Sequence, residues 1–279
     1  MNPSVRALAV PCIITPFVRD LGSGPAVLLV HSAGGTSGQW RGLTERLVSR
    51  FRVLAPDLIG HGRTPPWPGD PDRPHRPFHL DDEARALVEV LGAVDEPAHV
   101  IGHSYGAAAC LQLALRHPER VRSLLLFEPT LFRVLRGSDR DDDWDEVSSA
   151  AMGMVELAEA GEPRRGARRF FDYLMGEGAW DALPQERRDV LAVTMSVTIV
   201  RECRAQMFDD AIRRADYAAL SMPTTIVVGT RSPPAMSAVG EVLAATIPSA
   251  RLVRLPGADH MAPLTSPEAF AEVVRGVLG

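Results

Sequence analysis

Short apolar runs alternate with helical patterns of hydrophobic and polar positions through the first half of the chain. The apolar runs lie at residues 26–30, 53–55, 99–101 and 123–127. Helical patterns lie at 40–49, around 81–91 and at 107–116. Strands that read as continuous apolar runs are typical of a parallel sheet covered by helices on both faces. The alternation therefore predicts the α/β class, with a mostly parallel central sheet flanked by helices.

The N-terminal stretch predicts two antiparallel edge strands, at residues 5–10 and 13–18. Pro11 and Pro16 fit an edge, because proline has no N–H to donate to a neighbouring strand. We therefore expect this stretch at the side of the sheet.

The alternation of strands and helices stops near the middle of the chain. Residues 131–219 contain only amphipathic helical patterns, and strand patterns return at 224–228 and 250–255. The sequence therefore predicts a core domain formed by residues 1–130 and 220–279, interrupted by an all-helical insertion at 131–219.

Composition and charge exclude several classes of function. The formal net charge of −5 disfavours a nucleic-acid partner bound through its phosphates. All 30 basic residues are arginines, so a lysine Schiff base, a P-loop lysine and a kinase-type ATP lysine are excluded. We expect a small-molecule substrate, while the oligomeric state stays open.

The spacing of the cysteines bears on metal binding, and the length of the apolar runs bears on membrane association. The three cysteines are far apart and have no metal-ligand spacing, so we expect neither a metal nor another cofactor. A sparse, odd set of cysteines also fits a reducing compartment. We find no signal-peptide pattern and no apolar run of membrane-spanning length, so the expectation is a cytoplasmic protein without membrane association.

The strongest local motif is Gly-His-Ser-Tyr-Gly, from Gly102 to Gly106, placed between a strand pattern and a helical pattern. In that context Ser104 occupies a sharp strand-to-helix turn, where larger flanking side chains would collide. Such a turn exposes the serine hydroxyl next to the N–H groups of a helix N-terminus. Ser104 is therefore the candidate nucleophile.

With this motif the chain resembles the α/β-hydrolase-fold serine hydrolases that carry a helical cap, from about Arg19 to its C-terminus. The loop from His31 to Gly35 resembles the oxyanion loop of that family, with Ser32 replacing its usual first glycine. The resemblance implies that the backbone N–H groups of Ala33 and Tyr105 form an oxyanion hole. The segment at 57–62 resembles a structural turn of the family.

A general base is needed, because a serine hydroxyl is a poor nucleophile until its proton is accepted. The loop at 256–261 resembles the one that carries the base of the family, which implies His260. His31 and His103 flank the motifs and are expected to have orienting roles. Together with Ser32 they are also candidate substrate-binding residues.

The third triad member departs from the family pattern. The usual acid position, after the strand pattern at 224–228, is occupied by Ser232, which cannot stabilise an imidazolium. Glu128 ends the neighbouring strand pattern and is our candidate acid, because a carboxyl in that place is costly to bury without a role. A Glu128 that only contacts the insertion or solvent, a dyad without an acid, and Asp259 are the alternatives.

The predicted insertion lies where the family has its cap. It is rich in methionine and aromatic residues, which are adaptable lining for an apolar pocket. Met154 and Trp180 are the candidate substrate-binding residues, although most such side chains serve to join the insertion to the core.

These residues predict a metal-free serine hydrolase that cleaves an ester, thioester or lactone of a small, mostly apolar substrate through an acyl-enzyme on Ser104. A C–C bond hydrolase, and an acyl-transferring or cyclising enzyme of a biosynthetic pathway, would use the same serine and histidine. A non-catalytic ligand-binding protein on this fold is the alternative from another class.

Overall fold

The computed structural model describes residues 14–70, 73, 75–209 and 213–279, so the predicted strand at 5–10 lies outside them. The described residues form a single seven-stranded sheet. Its strands are β1 (Val18–Leu21), β2 (Ala26–Val30), β3 (Arg52–Pro56), β4 (Ala98–His103), β5 (Val121–Phe127), β6 (Thr224–Gly229) and β7 (Ala250–Leu255).

The sheet order is β1-β3-β2-β4-β5-β6-β7, with β1 antiparallel to β3 and the other pairs parallel. The predicted edge strand at 13–18 is shifted in the structure, because only residues from Val18 onward pair with β3. Phe17 instead contacts two loop residues: its N–H donates to Thr64 Oγ1 (2.9 Å), and its carbonyl accepts from Asp57 N (2.8 Å).

Alternate residues of the inner strands face opposite sides of the sheet, as the two-residue period of a strand requires. Leu28 and Val30 pack under α2 (Leu80–Leu91), α3 (Tyr105–Arg116) and α9 (Pro234–Thr246). Val27 and Leu29 pack under helices on the other face, α1 (Arg41–Leu47) and α11 (Pro267–Leu278). Burial on both faces explains the continuous apolar runs, and the predicted α/β architecture is confirmed.

Between β5 and β6 the described residues contain helices and no strand, as the sequence predicts. We call the segment from α4 to α8 the helical insert. Its elements are α4 (Asp141–Glu159), α5 (Pro163–Met175), α6 (Ala179–Ala182), α7 (Gln185–Thr194), a π-helical stretch (Met195–Ile199) and α8 (Val200–Met207). The short helix α10 (Ala262–Thr265) follows β7.

Parallel strands end at the same edge of the sheet, which brings the loops after β2, β4, β5, β6 and β7 together. These loops carry the candidate residues Ala33, Ser104, Glu128, Ser232 and His260. In open α/β sheets ligands bind at this carboxyl edge.

The described part of the chain contains no helix that is both long and apolar enough to span a membrane.

Candidate active site

Ser104 lies between the end of β4 and the start of α3 with φ 56° and ψ −122°. A positive φ is strained for a residue with a Cβ atom, and such strain persists only where the surroundings hold the chain. Here Ser104 N donates to Phe127 O at 2.9 Å, and Ser104 O accepts from Ala107 N at 2.9 Å. The hydroxyl is thereby fixed at the carboxyl edge of the sheet.

The glycines on either side of Ser104 allow a close approach of α3 to the strands. A Cβ atom on Gly106 would lie 2.3 Å from the carbonyl oxygen of His31 and 2.6 Å from that of Val30. One on Gly102 would lie 2.6 Å from Ala107 Cα. All three distances are shorter than real Cβ contacts, so the turn fits only glycine at these two positions.

His260, in the loop between β7 and α10, faces the serine. Its Nε2 accepts from Ser104 Oγ at 3.0 Å, and the ring is buried. The backbone carbonyl of His260 accepts from His103 Nε2 at 2.8 Å, which fixes the loop.

Glu128 directly follows β5, with a φ of 45° and a fully buried side chain. Its Oε2 accepts from His260 Nδ1 at 2.6 Å, and its Oε1 accepts from the N–H of Gly229 at 2.6 Å. Hydrogen bonds from two donors stabilise a carboxylate in a position where solvation is lost. Ser104, His260 and Glu128 therefore form one continuous chain of hydrogen bonds.

Neither Ser232, at the usual acid position of the family, nor Asp259 is hydrogen-bonded to the ring of His260 among the described residues. Ser232 Oγ is buried and has no hydrogen-bond partner among the described residues. The carboxylate of Asp259 accepts from its neighbour Met261 N at 3.0 Å.

Ala33 and Tyr105 both line a cavity beside Ser104. Tyr105 is the first residue of α3, so its N–H has no acceptor within the helix and is available to a ligand. The loop that carries Ala33 is closed by a hydrogen bond from Gly35 N to Ser32 O (2.9 Å). Ala33 and Tyr105 therefore both border the space beside the Ser104 hydroxyl.

His31 and His103, expected on the substrate side, are buried behind the cavity walls that the described residues form. His31 accepts from Leu58 N (2.9 Å) through Nε2 and donates to Ser32 O (2.8 Å) through Nδ1. Burial lowers the pKa of His31 to about 4 and that of His103 well below 6.5, so both rings are neutral. Neither ring lines the cavity formed by the described residues, because the nitrogens of each ring are used to join loops.

Gln39, which the sequence motifs did not indicate, links the loop at 31–35 to the loop that carries His260. Its Oε1 accepts from Ser32 N (3.1 Å) and Ser32 Oγ (2.9 Å), while its Nε2 donates to His103 Nδ1 at 3.1 Å. Because His103 holds the carbonyl of His260, the two loops are positioned by one hydrogen-bonded network. Gln39 stands in no motif, so only the tertiary contact identifies it.

The cavity beside Ser104 has a volume of about 90 Å³ and lies between the sheet edge and the helical insert. The candidates Ser32, Met154 and Trp180 line it. Most of its other walls are apolar, including Phe132, Phe170, Phe171, Met195 and Met207. The arrangement suits a small, largely apolar group held against the serine hydroxyl.

A buried carboxyl group contacts the side chain of Tyr105, one of the residues that line the cavity. Glu83 is fully buried, and it accepts from Tyr105 Oη at 3.3 Å and from Ile59 N at 3.4 Å. Burial raises the pKa of Glu83 to about 8, because these two long hydrogen bonds replace little of its lost hydration. The folded protein therefore holds a proton on Glu83 at neutral pH.

The profile of the Alpha/beta hydrolase family matches residues 27–273, and the chain belongs to this family. It is 26% identical over 273 residues to a pimeloyl-[acyl-carrier protein] methyl ester esterase from Aeromonas hydrophila, covering 94% of this chain and 98% of that protein. Uncharacterized proteins from Mycobacterium bovis and Mycobacterium tuberculosis are 37% identical over 109 residues, and that match spans only 30% of their length.

Solved structures show the same architecture. An alpha/beta hydrolase from Sphaerobacter thermophilus is 26% identical with a TM-score of 0.68, covering 95% of this chain and 96% of that one. An esterase from Thermogutta terrifontis is 25% identical with a TM-score of 0.69, covering 96% and 97%.

We expect Gly106→Ala to lower the free energy of unfolding by about 1–3 kcal/mol, because the added methyl group would overlap backbone carbonyl oxygens. Urea denaturation measures the change. Gly276→Ala is the control, since a Cβ atom there meets nothing within 4 Å and alanine favours its helix. Equal stabilities of the two variants would contradict the close approach of α3 to the strands.

Stability should also depend on pH through Glu83. Its folded-state pKa of about 8 exceeds its ordinary value of 4.5, so its contribution to stability is complete below 4.5 and is lost as pH rises toward 8. Glu83→Gln should reduce that loss by at most about 1.4 kcal/mol per pH unit. Urea unfolding at pH 5, 6.5 and 8 tests this, with the exposed Glu89→Gln on the same helix as the control. Parallel pH profiles of the Glu83 variant and the unmodified protein would refute it.

Proposed function

We propose that this protein is a serine hydrolase that cleaves an ester, thioester or lactone of a small, mostly apolar substrate through an acyl-enzyme on Ser104. The observation that carries the proposal is the hydrogen-bond chain from Ser104 Oγ through His260 to Glu128, with distances of 3.0 and 2.6 Å. Nucleophile, base and acid in this order, at a strained strand-to-helix turn, are the arrangement that acyl transfer requires.

In the first step His260 Nε2 accepts the proton of Ser104 as Oγ attacks the substrate carbonyl carbon. Glu128 accepts from Nδ1, which sets the neutral tautomer beforehand and stabilises the imidazolium when it forms. The imidazolium then gives its proton to the leaving oxygen or sulfur, and the acyl group stays on Ser104. A water molecule, deprotonated by His260, releases the acid.

The backbone N–H groups of Ala33 and Tyr105 are our proposed donors to the oxyanion of the tetrahedral intermediate. Fixed donors directed at developing charge are worth most where water is excluded, as in a buried cavity. The hydrogen bonds of Gln39 with Ser32 and His103 would hold these donors at a fixed position relative to His260.

The apolar side chains that the helical insert contributes to the cavity favour an apolar substrate. We propose that residues 131–219 form a cap domain on the core of 1–130 and 220–279, because Met154, Phe170 and Trp180 line the cavity over Ser104. The relatives named as esterases, from Aeromonas hydrophila and Thermogutta terrifontis, support ester cleavage as the reaction.

Ser104→Ala should abolish both turnover of p-nitrophenyl esters and covalent labelling by a fluorophosphonate probe, while leaving the fold intact. Labelling is read by mass spectrometry, and folding by circular dichroism. Ser149→Ala, at an exposed position of α4, is the matched control and should label normally. Labelling that persists in the Ser104 variant would place the nucleophile elsewhere.

Glu128→Gln should lower kcat for p-nitrophenyl esters by about 10²–10⁴-fold, because the amide loses the charge and can favour the wrong histidine tautomer. Ser232→Ala should change kcat little, since its hydroxyl has no hydrogen-bond partner among the described residues. The double variant Glu128→Ala, Ser232→Asp should recover part of the lost rate if the new carboxylate reaches His260. Near-normal turnover by Glu128→Gln would refute the role of Glu128 as the acid.

A further inference from the structure

Two neutral polar side chains in the cavity wall are left without a role by the proposed reaction. Thr130 follows β5, Gln206 lies near the end of α8, and both side chains are buried and line the cavity. Thr130 Oγ1 donates to Gln206 Oε1 at 2.6 Å, which sets the orientation of the amide group. We call these two residues the polar pair.

One group of the polar pair has no partner in the protein. Gln206 Nε2 makes no hydrogen bond with the residues that the structure describes. Burying an amide donor without an acceptor is costly, and most buried polar groups have a partner. Because the Gln206 side chain lines the cavity, a group bound in the cavity is the acceptor that its position allows.

The polar pair lies directly beside the proposed nucleophile. Thr130 N donates to Ser104 O at 3.4 Å. In the sheet β4 lies between β2 and β5, so Ser104 has the loop with Ala33 on one side and the loop with Thr130 on the other. A substrate held at Ser104 with its carbonyl oxygen towards Ala33 therefore has the polar pair on its opposite side.

The acidic residue of the same wall does not bring a negative charge to the polar pair. Glu202 lies one turn before Gln206 on α8 and is fully buried. Burial and the neighbouring Glu83 raise the pKa of Glu202 well above 4.5, against the opposing effect of Arg201. The carboxyl of Glu202 therefore favours its protonated, uncharged form.

The permanent positive charge of the cavity wall belongs to the other side of the site. Arg187 lies on α7, and its Nη2 donates to Gly34 O at 3.2 Å. Gly34 is in the loop after β2, whereas Thr130 is in the loop after β5. The surroundings of the polar pair therefore favour an uncharged ligand group.

The free donor indicates which uncharged group would bind. Gln206 Nε2 requires an acceptor, while Gln206 Oε1 is already occupied by the hydroxyl of Thr130. A carbonyl oxygen accepts a hydrogen bond without bringing a proton that needs its own partner. Most other walls of the cavity are apolar, so the rest of the ligand would be hydrocarbon.

We propose that Gln206 donates a hydrogen bond to a neutral carbonyl oxygen of the substrate, so that the preferred esters carry a keto group near the scissile bond. The inference rests on the proposed function, because it takes Ser104 as the centre of the reaction. Gln206 would determine specificity, and Thr130 would orient its amide group.

The test compares esters in which a keto oxygen replaces a methyl group. One pair is p-nitrophenyl 4-oxopentanoate and p-nitrophenyl 4-methylpentanoate, with the keto group in the acyl part. The other pair is 4-oxopentyl acetate and 4-methylpentyl acetate, with the keto group in the alcohol part. Each kcat/KM is divided by the rate constant of that ester's alkaline hydrolysis, which removes the difference in intrinsic reactivity. In at least one pair the corrected value should be about 3–10-fold higher for the keto ester, as expected for a hydrogen bond between neutral groups.

Gln206→Met and Gln206→Leu should both bring that ratio close to one, because neither side chain has an N–H to donate. Gln185→Met, at an exposed position of α7 in the same insert, is the matched control and should keep the ratio. Each ratio compares two esters on one protein, so a general loss of folded enzyme, as from a merely structural role of Gln206, would not change it.

Ratios near one for the unmodified protein in both ester pairs would overturn the inference without any variant. A preference that survives in the Gln206 variants would also overturn it, because another group would then bind the keto oxygen. Failure of the proposed function gives a different result: the methyl-substituted esters would be hydrolysed equally well by Ser104→Ala, or by neither protein.

Discussion

The rest of the site depends on the two hydrogen bonds that the buried carboxylate of Glu128 accepts. One oxygen accepts from His260 and the other from the N–H of Gly229, so a single side chain after β5 joins the loops after β6 and β7. A Cβ atom on Gly229 would lie 2.4 Å from Ala258 O and 3.1 Å from Glu128 Oε1. Glycine at this position therefore allows both loops to close around the carboxylate.

Backbone strain is concentrated at the same place. Among the described non-glycine residues, only Ser104 and Glu128 have a positive φ. Each follows a buried parallel strand, and the two positions are linked by the hydrogen bond from Ser104 N to Phe127 O. The sheet and its covering helices supply the packing that keeps these two unfavourable conformations in place, which agrees with strain being retained at functional sites.

The polar groups beneath the site serve mainly to position it. The side chains of Gln39, His31 and His103 form hydrogen bonds that join neighbouring loops. Burial lowers the pKa of both histidines, so both imidazole rings are neutral. Glu202 differs, because it is buried at the cavity and carries no hydrogen bond within the described chain. That contrast separates side chains that join the loops of the site from a buried carboxyl that joins none.

The sequence by itself determined the α/β class, the helical insert and the motifs around Ser104 and His260, since these depend on local periodicity and on short turns. It also indicated Glu128, because a carboxyl ending a buried strand is unusual. Only the tertiary structure decided that this carboxylate reaches His260, that His31 and His103 lie behind the cavity, and that Gln39 joins Ser32 to His103. Those facts depend on contacts between residues far apart in the chain, which no local pattern encodes.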